Sequence, residues 1–433
     1  MPTIRALIVL SLVCMAACKN QPAVSNTSDG APKLPAQAGP VCAIDNGGIQ
    51  LPPGFCAVVV ADNIGRARHL VVRDNGDVYV ALRGRNGGIV ALRDGDADGV
   101  AEISQKFGDV GGTGIGIRNG FLYFAPDIAV VRFRLSDALV PTGVPEIVIG
   151  GFPQQGAHAA KPFEFDNEGG LYVNIGAPSN ACQKADRTPG ATGMDPCPLL
   201  DGYGGVWRYG ADKPAQHYED GQRYATGIRN GVANAWNRDT GKLYVVQHGR
   251  DQLSELFPRQ YKDEDRAELP AEEMFEVDQG DDFGWPYCYY DHLLGRKVLG
   301  PEYGGDGKRA GRCDEKEDPI AAFPGHWAPN DLLFYFGDQF PPRYRGGAFI
   351  AFHGSWNRQP FIQKGYNVVF VPFADGVPAA DYEVFADGFA HEDELRSPRQ
   401  ARYRPMGLAL GPDGSLYISD SVKGRIWRVI YQP

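Results

Sequence analysis

Gly76-Asp77-Val78-Tyr79-Val80 is a glycine-bounded turn that runs into a short strand of branched and aromatic residues. The pattern returns five more times, in Gly120-Phe121-Leu122-Tyr123-Phe124, Gly170-Leu171-Tyr172-Val173, Gly241-Lys242-Leu243-Tyr244-Val245, Gly347-Ala348-Phe349-Ile350-Ala351 and Gly414-Ser415-Leu416-Tyr417-Ile418. Such a strand is buried on both faces, and one unit alone cannot cover its own apolar surface. Radial repetition covers it, so the repeats predict an all-β fold, a six-bladed β-propeller.

The spacing of the repeats indicates where extra chain is inserted. The first three repeats are each about one blade apart, whereas the fourth and fifth, at Tyr244 and Phe349, follow wider gaps. We therefore predict long loop insertions in the middle blades, where such loops commonly form the walls of a cleft. Residues 57–61 are predicted to form a strand that closes the ring against the C-terminal blade.

The composition supports a turn-rich β-protein rather than a helical one. The chain has 433 residues with 56 glycines and 33 prolines, and 43% of its residues are hydrophobic, enough for a sizeable core. Its formal net charge of −10 argues against nucleic acid as the general partner, because phosphate binding needs a basic face.

The N-terminus has the pattern of an export signal. Arg5 supplies a positive charge, and residues 6–13 form an apolar segment too short to span a bilayer. Cys18 ends a sequence that resembles a bacterial lipobox, so we predict a lipoprotein signal peptide at 1–18 and a lipid anchor on Cys18 that holds the protein to a membrane. Residues 19–40 are predicted to be a flexible tether, and 41–433 the propeller domain, on the periplasmic side or at the cell surface.

The cysteines agree with an exported protein. Beyond Cys14 and Cys18 there are six, an even number that implies disulfides outside the cytoplasm. Sequence leaves the connectivity open, and pairing between neighbours is the simplest choice: Cys42 with Cys56, Cys182 with Cys197, and Cys288 with Cys313.

Several residues could carry chemistry because they flank the predicted strands. His158 precedes the third repeat strand, where a neutral imidazole could take a proton from a hydroxyl. Arg402 and Arg404 precede the last strand, and Arg229-Asn230 holds the equivalent position in the fourth unit. Guanidinium groups from separate blades that meet at one cavity would bind a planar polyanion.

Two segments suggest a metal. Asp94 to Asp98 alternates carboxylates as in the first half of an EF-hand loop, although the twelfth position is Gln105, so calcium binding and a simple acidic turn stay open alternatives. Gly249 follows the fourth repeat strand within Gln247-His248-Gly249-Arg250, where a turn of the backbone could aim carbonyl oxygens at calcium.

Together these motifs are similar to those of the soluble glucose/sorbosone dehydrogenase family, over roughly residues 51 to 430. Phe352-His353-Gly354-Ser355-Trp356-Asn357-Arg358 and the Gln247 to Arg250 motif resemble the sorbosone branch more than the glucose branch. The resemblance implies a six-bladed propeller that uses pyrroloquinoline quinone (PQQ) and calcium to oxidise a sugar, with an external electron acceptor.

The resemblance also implies roles for individual residues. It assigns His158 as the general base, Arg229, Asn230, Arg402 and Arg404 as contacts of the cofactor with His353 and Arg83 nearby, and the carbonyls of Gly249 and Arg250 as calcium ligands. The glucose enzymes carry an aspartate beside the base, whereas this chain has Ala177, and they carry a cofactor lysine near the position of His353.

Sequence leaves three kinds of function open. The first is sugar oxidation with PQQ and calcium. The second is a calcium-dependent propeller lactonase that hydrolyses through a metal-bound water. The third is a propeller without catalytic activity that binds a sugar or a protein and has lost the cofactor, which Ala177 and the missing lysine favour.

Overall fold

The computed structural model describes residues 39–392 and 394–433. The predicted signal peptide, Cys18 and nearly all of the predicted tether lie outside these residues. Six sheets radiate from a common axis, and their innermost strands contact one another in sequence order until the last meets the first. The prediction of a six-bladed β-propeller is confirmed.

Each blade is an antiparallel sheet of four strands. From the axis outward, blade 1 is Ala67–Val72, Val78–Leu82, Gly88–Arg93 and Ile103–Phe107; blade 2 is Gly112–Arg118, Phe121–Pro126, Ala129–Arg134 and Glu146–Gly150; and blade 3 is Phe163–Phe165, Gly170–Ile175, Gly205–Gly210 and Gln222–Thr226. Blade 4 is Ala233–Asn237, Lys242–Gln247, Glu272–Val277 and Ala321–Phe323; blade 5 is Pro329–Phe334, Ala348–Phe352, Asn367–Val371 and Glu383–Ala386; and blade 6 is Pro405–Leu410, Leu416–Asp420, Ile426–Tyr431 and Phe55–Ala61. Gln216–His217 adds a short parallel strand to the edge of blade 2.

The six repeats found in the sequence are the second strands of the six blades. These strands lie between two neighbours of their own sheet and between two adjacent blades, which explains their apolar residues on both faces; Tyr79, Tyr123 and Tyr244, for example, are fully buried. The turn glycines Gly76 and Gly414 have φ of +88° and +83°, a conformation that other residues rarely adopt.

The ring closes as predicted. Phe55–Ala61 pairs antiparallel with Ile426–Tyr431, so an N-terminal strand completes the C-terminal blade. The Phe55 ring packs edge-on against Phe340 and Phe385 of blade 5, with centroids 4.8 and 5.0 Å apart. The ring is therefore closed both by hydrogen bonds between these two strands and by the packing of Phe55 in the core between blades 5 and 6.

The longest connections between blade strands are 176–204, 248–271 and 278–320, in blades 3 and 4. They contain the short α-helices Leu253–Leu256 and Asp263–Glu268, the hairpin of Cys288–Asp291 with Arg296–Leu299, and the 3-10 helices Pro198–Asp201, Pro301–Tyr303 and Gly311–Glu315. Elsewhere lie the hairpin of Phe373–Ala374 with Val377–Pro378 and the 3-10 helices Asn46–Gly48, Tyr218–Asp220 and Pro342–Tyr344. Within the described residues, no helix is long and apolar enough to cross a membrane.

The three predicted disulfides are present. Cys42 pairs with Cys56, Cys182 with Cys197, and Cys288 with Cys313. The first ties the N-terminal segment to the closing strand, and the other two each close a loop within the long connections of blades 3 and 4.

Candidate functional site

The direction of the strands decides where the candidate residues gather. Successive strands in a blade run antiparallel, so the start of each innermost strand and the end of each second strand lie at the same end of the propeller. All candidates occupy one of these two positions: His158, Arg229, Asn230, Arg402 and Arg404 precede innermost strands, and Arg83, Gly249, Arg250 and His353 follow second strands.

A cavity of about 420 Å³ opens at this end, beside blades 5, 6 and 1. Its lining includes five arginines, namely Arg66, Arg68, Arg83, Arg399 and Arg404, together with His353 and Ser421. None of the described lining residues is acidic. A concentration of guanidinium groups in a protein of net charge −10 is the donor set for a ligand that carries several carboxylates.

Arg68 is the most unusual of these arginines. Its side chain is buried, yet its one hydrogen bond to a described residue is a long contact from Nε to Thr113 Oγ1, at 3.4 Å. Burial, with Arg83 and Arg66 close by, lowers the pKa of Arg68 to about 9. Asp127 offsets its charge only in part, and Arg68 has no ion-pair partner among the described residues. A buried cation without such a partner is costly, and an anion in the cavity would lower that cost.

His353 and Arg404 form the wall of the cavity nearest blade 5. Arg404 Nε donates to the carbonyl of His353 at 2.9 Å, and the same guanidinium also donates to Gly354. His353 Nε2 lies 2.6 Å from Ser421 Oγ. Burial, then Arg404 and Arg68, lowers the pKa of His353 well below its usual value, so the imidazole is neutral at pH 7.

Arg402 does not join this wall. Its side chain is exposed and faces His391, with Nη1 3.4 Å from the ring Nδ1, and it does not line the cavity. The expectation that Arg402 and Arg404 lie on the same side is wrong, because the backbone does not alternate regularly there. The amides of the consecutive residues Arg402 and Tyr403 both donate to one neighbouring segment, at the carbonyls of Ala390 and Phe389.

His158 lies on the loop before blade 3, with a left-handed backbone of φ +52°. Its Nδ1 is 2.5 Å from the carbonyl oxygen of Ala177. Because a carbonyl can only accept, Nδ1 carries the proton and Nε2 keeps a free lone pair. Burial, followed by the charge of Arg229, lowers the pKa of His158 to about 3, so the ring is neutral in ordinary conditions.

Ala177 therefore orients the histidine with its backbone. Its methyl group is buried beside Cys182, Cys197 and Trp285, facing away from the ring. The amide of Ala177 donates to the carbonyl of Arg229 at 2.8 Å, which fixes the carbonyl that holds His158. His158 therefore has a hydrogen-bond partner, the carbonyl of Ala177, although residue 177 has no aspartate side chain.

Arg229 is buried and fully engaged with the protein. Its guanidinium donates to the carbonyls of Asn180 and Gly249 at 3.1 and 2.8 Å, and to Asp251 at 3.0 Å. Although burial opposes ionisation, Arg229 and Arg187 hold the pKa of Asp251 well below its usual range. This network fixes the long loops of blades 3 and 4 around the site, so Arg229 acts here as a positioning group.

Next to Arg229, two buried amides lack partners among the described residues. Asn230 is 5% exposed and its Oδ1 is unpaired, and Asn174, fully buried, has neither side-chain atom paired. Unpaired buried polar atoms are rare in folded proteins, and they indicate a place where a ligand or water binds. Asn230 is thus available to a bound molecule.

Gly249 and Arg250 contribute backbone rather than side chains. The amide of Gly249 donates to the buried carboxylate of Glu272 at 2.7 Å, and Glu272 also accepts from the amide of Ala328 at 2.9 Å. The Arg250 side chain is buried in an ion pair with Glu302. Glu272 and Arg229 thereby hold Gly249 from both sides, one at its amide and the other at its carbonyl.

The acidic turn at Asp94 lies at the opposite end of blade 1, between its third and fourth strands. Oxygens of Asp94, Asp96, Asp98 and Glu102 approach within 4.8 Å of one another, so the fourth carboxylate of the turn comes from Glu102. The Asp94 carboxylate accepts from the amides of Ala97 and Gly99 of the same turn. We assign no ion to this turn.

Sequence reasoning missed several residues of the site, namely Arg66, Arg68, Arg399, Ser421, His248 and Asp251. A signal for two of them existed, because Arg66-Ala67-Arg68 stands at the start of the innermost strand of blade 1, much as Arg402-Tyr403-Arg404 stands directly before that of blade 6. His248 lies close to both His158 and His353. Burial is the main cause of the lowered pKa of each of these two histidines, and the charge of His248 lowers both pKa values further.

The site thus combines a six-bladed propeller with a neutral histidine and an arginine-lined cavity at one end. A family model, TrAA12-like, matches residues 49–432. The chain belongs to this family.

Solved structures of low sequence identity share the fold. The carbohydrate-active enzyme family AA12 protein of Trichoderma reesei (iodide structure) superposes with a TM-score of 0.73 at 18% identity, covering 89% of this chain and 98% of that one. The holo PQQ domain of pyranose dehydrogenase from Coprinopsis cinerea gives 0.71 at 19%, covering 92% and 99%. The soluble aldose sugar dehydrogenase of Escherichia coli gives 0.55 at 17%, covering 87% and 99%.

Among curated proteins, an uncharacterized protein of Borreliella burgdorferi is 28% identical over 209 residues, 48% of each chain. The PQQ-dependent pyranose dehydrogenase of Coprinopsis cinerea is 26% identical over 230 residues, 46% of this chain and 30% of that protein. The matches thus span half or less of these relatives. The predicted likeness to soluble sugar dehydrogenases is confirmed for the fold and family, and the sorbosone branch stays a prediction.

Proposed function

We propose that this protein is an oxidoreductase that oxidises a sugar with PQQ as its cofactor. The observation that carries the proposal is the cavity of five arginines, which has no acidic residue in its described lining. Relatives support it: one curated relative is a PQQ-dependent pyranose dehydrogenase, and a similar structure is the holo form of such a domain.

The residues present fit PQQ, a planar quinone with three carboxylates. Arg68 has unused donors, and Arg404, whose Nε and Nη2 donate to the carbonyls of His353 and Gly354, keeps Nη1 for a ligand in the cavity. The cavity of about 420 Å³ lies within the range of small-molecule sites. When bound, the quinone would supply the two-electron acceptor for oxidation of the sugar.

The protein by itself offers only part of a calcium coordination shell. The Gly249 carbonyl already accepts from Arg229, which leaves its second lone pair for a cation, and the Arg250 carbonyl is the adjacent ligand. Two carbonyls are well short of the six to eight oxygens that calcium takes. The remaining ligands would have to come from the cofactor and from water.

In this proposal His158 is the general base. The carbonyl of Ala177 holds Nδ1–H, so Nε2 is the atom that takes the hydroxyl proton of the sugar. Arg68 and Arg404 hold the anionic cofactor and offset negative charge that develops there. Arg229 and Asp251 keep the loops around His158 in place.

The proposal is tested by reconstitution. We expect the purified chain, mixed with PQQ and calcium and given a panel of aldoses, aldehyde sugars and their lactones, to reduce a dye in the presence of at least one sugar. Chelation of calcium should lower this rate. If PQQ caused neither an absorbance change nor thermal stabilisation, the redox proposal would be wrong.

The lactonase alternative is less well supported by the site. A metal-bound water needs several carboxylate or amide ligands around one ion, and the described lining of the cavity is basic. Hydrolysis of a lactone from the panel without PQQ would favour it. The binding-protein alternative would be favoured by PQQ or sugar binding without turnover.

The disulfide between Cys182 and Cys197 should matter for the site as well as for stability. It closes a 15-residue separation in the loop that bears Ala177 and Asn180. Replacing both cysteines with serine should cost about 3 kcal/mol of unfolding free energy. We also expect weaker PQQ binding, measured by titration, because the partners of His158 and Arg229 lose their support.

The matched control is the pair Cys42 and Cys56, with a separation of 14 and no contact with the site. The corresponding double serine variant should lose similar stability, measured by urea unfolding, and retain PQQ affinity. Equal loss of affinity in both variants would contradict a local role for the Cys182–Cys197 bond.

A further inference from the structure

A second concave region lies at the same end of the propeller as the arginine cavity. This groove, about 510 Å³ in volume, runs between the helix Asp263–Glu268 of blade 4 and the loop 353–366 of blade 5. Phe361 and Ile362 form part of its apolar wall, and Arg396 of the segment before blade 6 lies on its rim.

Two stretches of chain connect the groove to the cavity. The loop of blade 5 starts at His353, which lines the cavity, and reaches the groove at Phe361. The segment before blade 6 lines the groove with Arg396 and the cavity with Arg399. The amide of Gln363 donates to the carbonyl of Leu395 at 2.7 Å, which joins the two stretches side by side. The same two stretches of chain therefore line both the groove and the cavity.

The groove is held in its shape by Arg358. This side chain is 2% exposed, and its guanidinium donates to the carbonyls of Ile362 and Gly325 at 3.2 and 3.1 Å and to the carboxylate of Glu268. These contacts bind the loop of blade 5 to the helix across the groove. A preformed site loses less entropy when a ligand binds.

The chemistry of the groove fits a neutral ligand with many hydroxyl groups. The Phe361 ring is 37% exposed and offers an apolar face, while Glu264, Lys364 and Arg396 place charges of both signs around it. Mixed charges select neither an anion nor a cation but supply both donors and acceptors. A concave volume of this size suits a small ligand better than the flatter surface that docks a protein.

We propose that the groove binds sugar rings of an oligosaccharide whose reacting end lies beside the PQQ held in the cavity. This inference rests on the proposed sugar oxidation and extends it, because it makes the substrate a chain of sugars rather than a single ring. Phe361 would stack on one ring, and Glu264, Lys364 and Arg396 would hydrogen-bond its hydroxyls.

The test compares tetrasaccharides with their monosaccharides by calorimetric titration of the full chain. Cellotetraose, maltotetraose and mannotetraose are the probes, each with and without PQQ and calcium. We expect at least one tetrasaccharide to bind more tightly than its monosaccharide, and Phe361→Ala to weaken that binding about tenfold without changing monosaccharide affinity. Val144→Ala, an exposed apolar residue of blade 2, is the matched control and should change neither.

Because binding is also measured without PQQ, where no sugar can be oxidised, failure of the redox proposal would not hide this result. The inference is wrong if no tetrasaccharide binds better than its monosaccharide, or if Phe361→Ala weakens both equally. It is also wrong if Phe361→Ala leaves tetrasaccharide binding intact but slows reduction of a protein acceptor such as cytochrome c, since the groove would then dock the acceptor.

Discussion

Replacing His158 with asparagine should lower the turnover of the reconstituted enzyme by about two to four orders of magnitude, the usual worth of a general base. Asparagine is the sharpest choice because it tolerates the left-handed backbone at this position and can still donate to the carbonyl of Ala177. The variant thus removes the Nε2 lone pair while it keeps the local structure. Dye reduction at saturating sugar measures the effect.

The pH profile provides the second readout for His158. Its pKa is lowered from 6.5 to about 3, so the ring gains a proton, and loses its function as a base, only in strong acid. Protonation of His158 should make kcat/KM fall at low pH, and we expect this fall to occur well below pH 6.5. The asparagine variant should lack that fall while its melting temperature and PQQ affinity stay unchanged. Turnover close to that of the unaltered protein would show that another group accepts the proton.

The fold could be predicted because the sequence pattern of a strand is most regular where the strand is most completely buried. The second strand of a blade has apolar neighbours on all sides, so its composition is tightly constrained, and all six were found by their turn glycines and aromatic residues. Innermost strands are harder to recognise. Pro329–Phe334 contains the buried polar residues Asn330 and Asp331: the carbonyl of Asn330 lies 2.7 Å from His69 Nε2, and the Asp331 carboxylate accepts from the amide of Leu408 at 2.7 Å.

The site was predicted in position but not in side-chain direction. Placement before an innermost strand identified His158, Arg229 and Arg404, because strand direction brings all such positions to one end. Sequence could not tell that Arg402 faces solvent, since that depends on how the backbone of Arg402 and Tyr403 pairs with the distant segment 389–390. The partner of His158 was equally hidden, because a backbone carbonyl leaves no signature in residue type.

Arg68 should show opposite effects on stability and on ligand binding. We expect Arg68→Met to raise the melting temperature of the protein without ligand, because it removes a buried charge whose pKa burial, Arg83 and Arg66 depress to about 9. Methionine fills similar space and needs no counter-charge. PQQ affinity should fall by about tenfold to a few hundredfold, since hydrogen bonds between charged groups are each worth about 1.5–3 kcal/mol.

Arg402→Ala separates this effect from a general loss of positive charge. Both variants remove one cation at the same end of the propeller, but Arg402 is exposed and lies off the cavity. Its loss should leave PQQ affinity, measured by fluorescence titration at fixed ionic strength, within about twofold, because exposed charges are screened by salt. If Arg402→Ala weakened PQQ binding as much as Arg68→Met, PQQ would be held by the combined positive charge at this end of the propeller rather than by contacts in the cavity. If Arg68→Met instead lowered stability and left affinity intact, Arg68 would be a structural residue and the cavity would not be its ligand site.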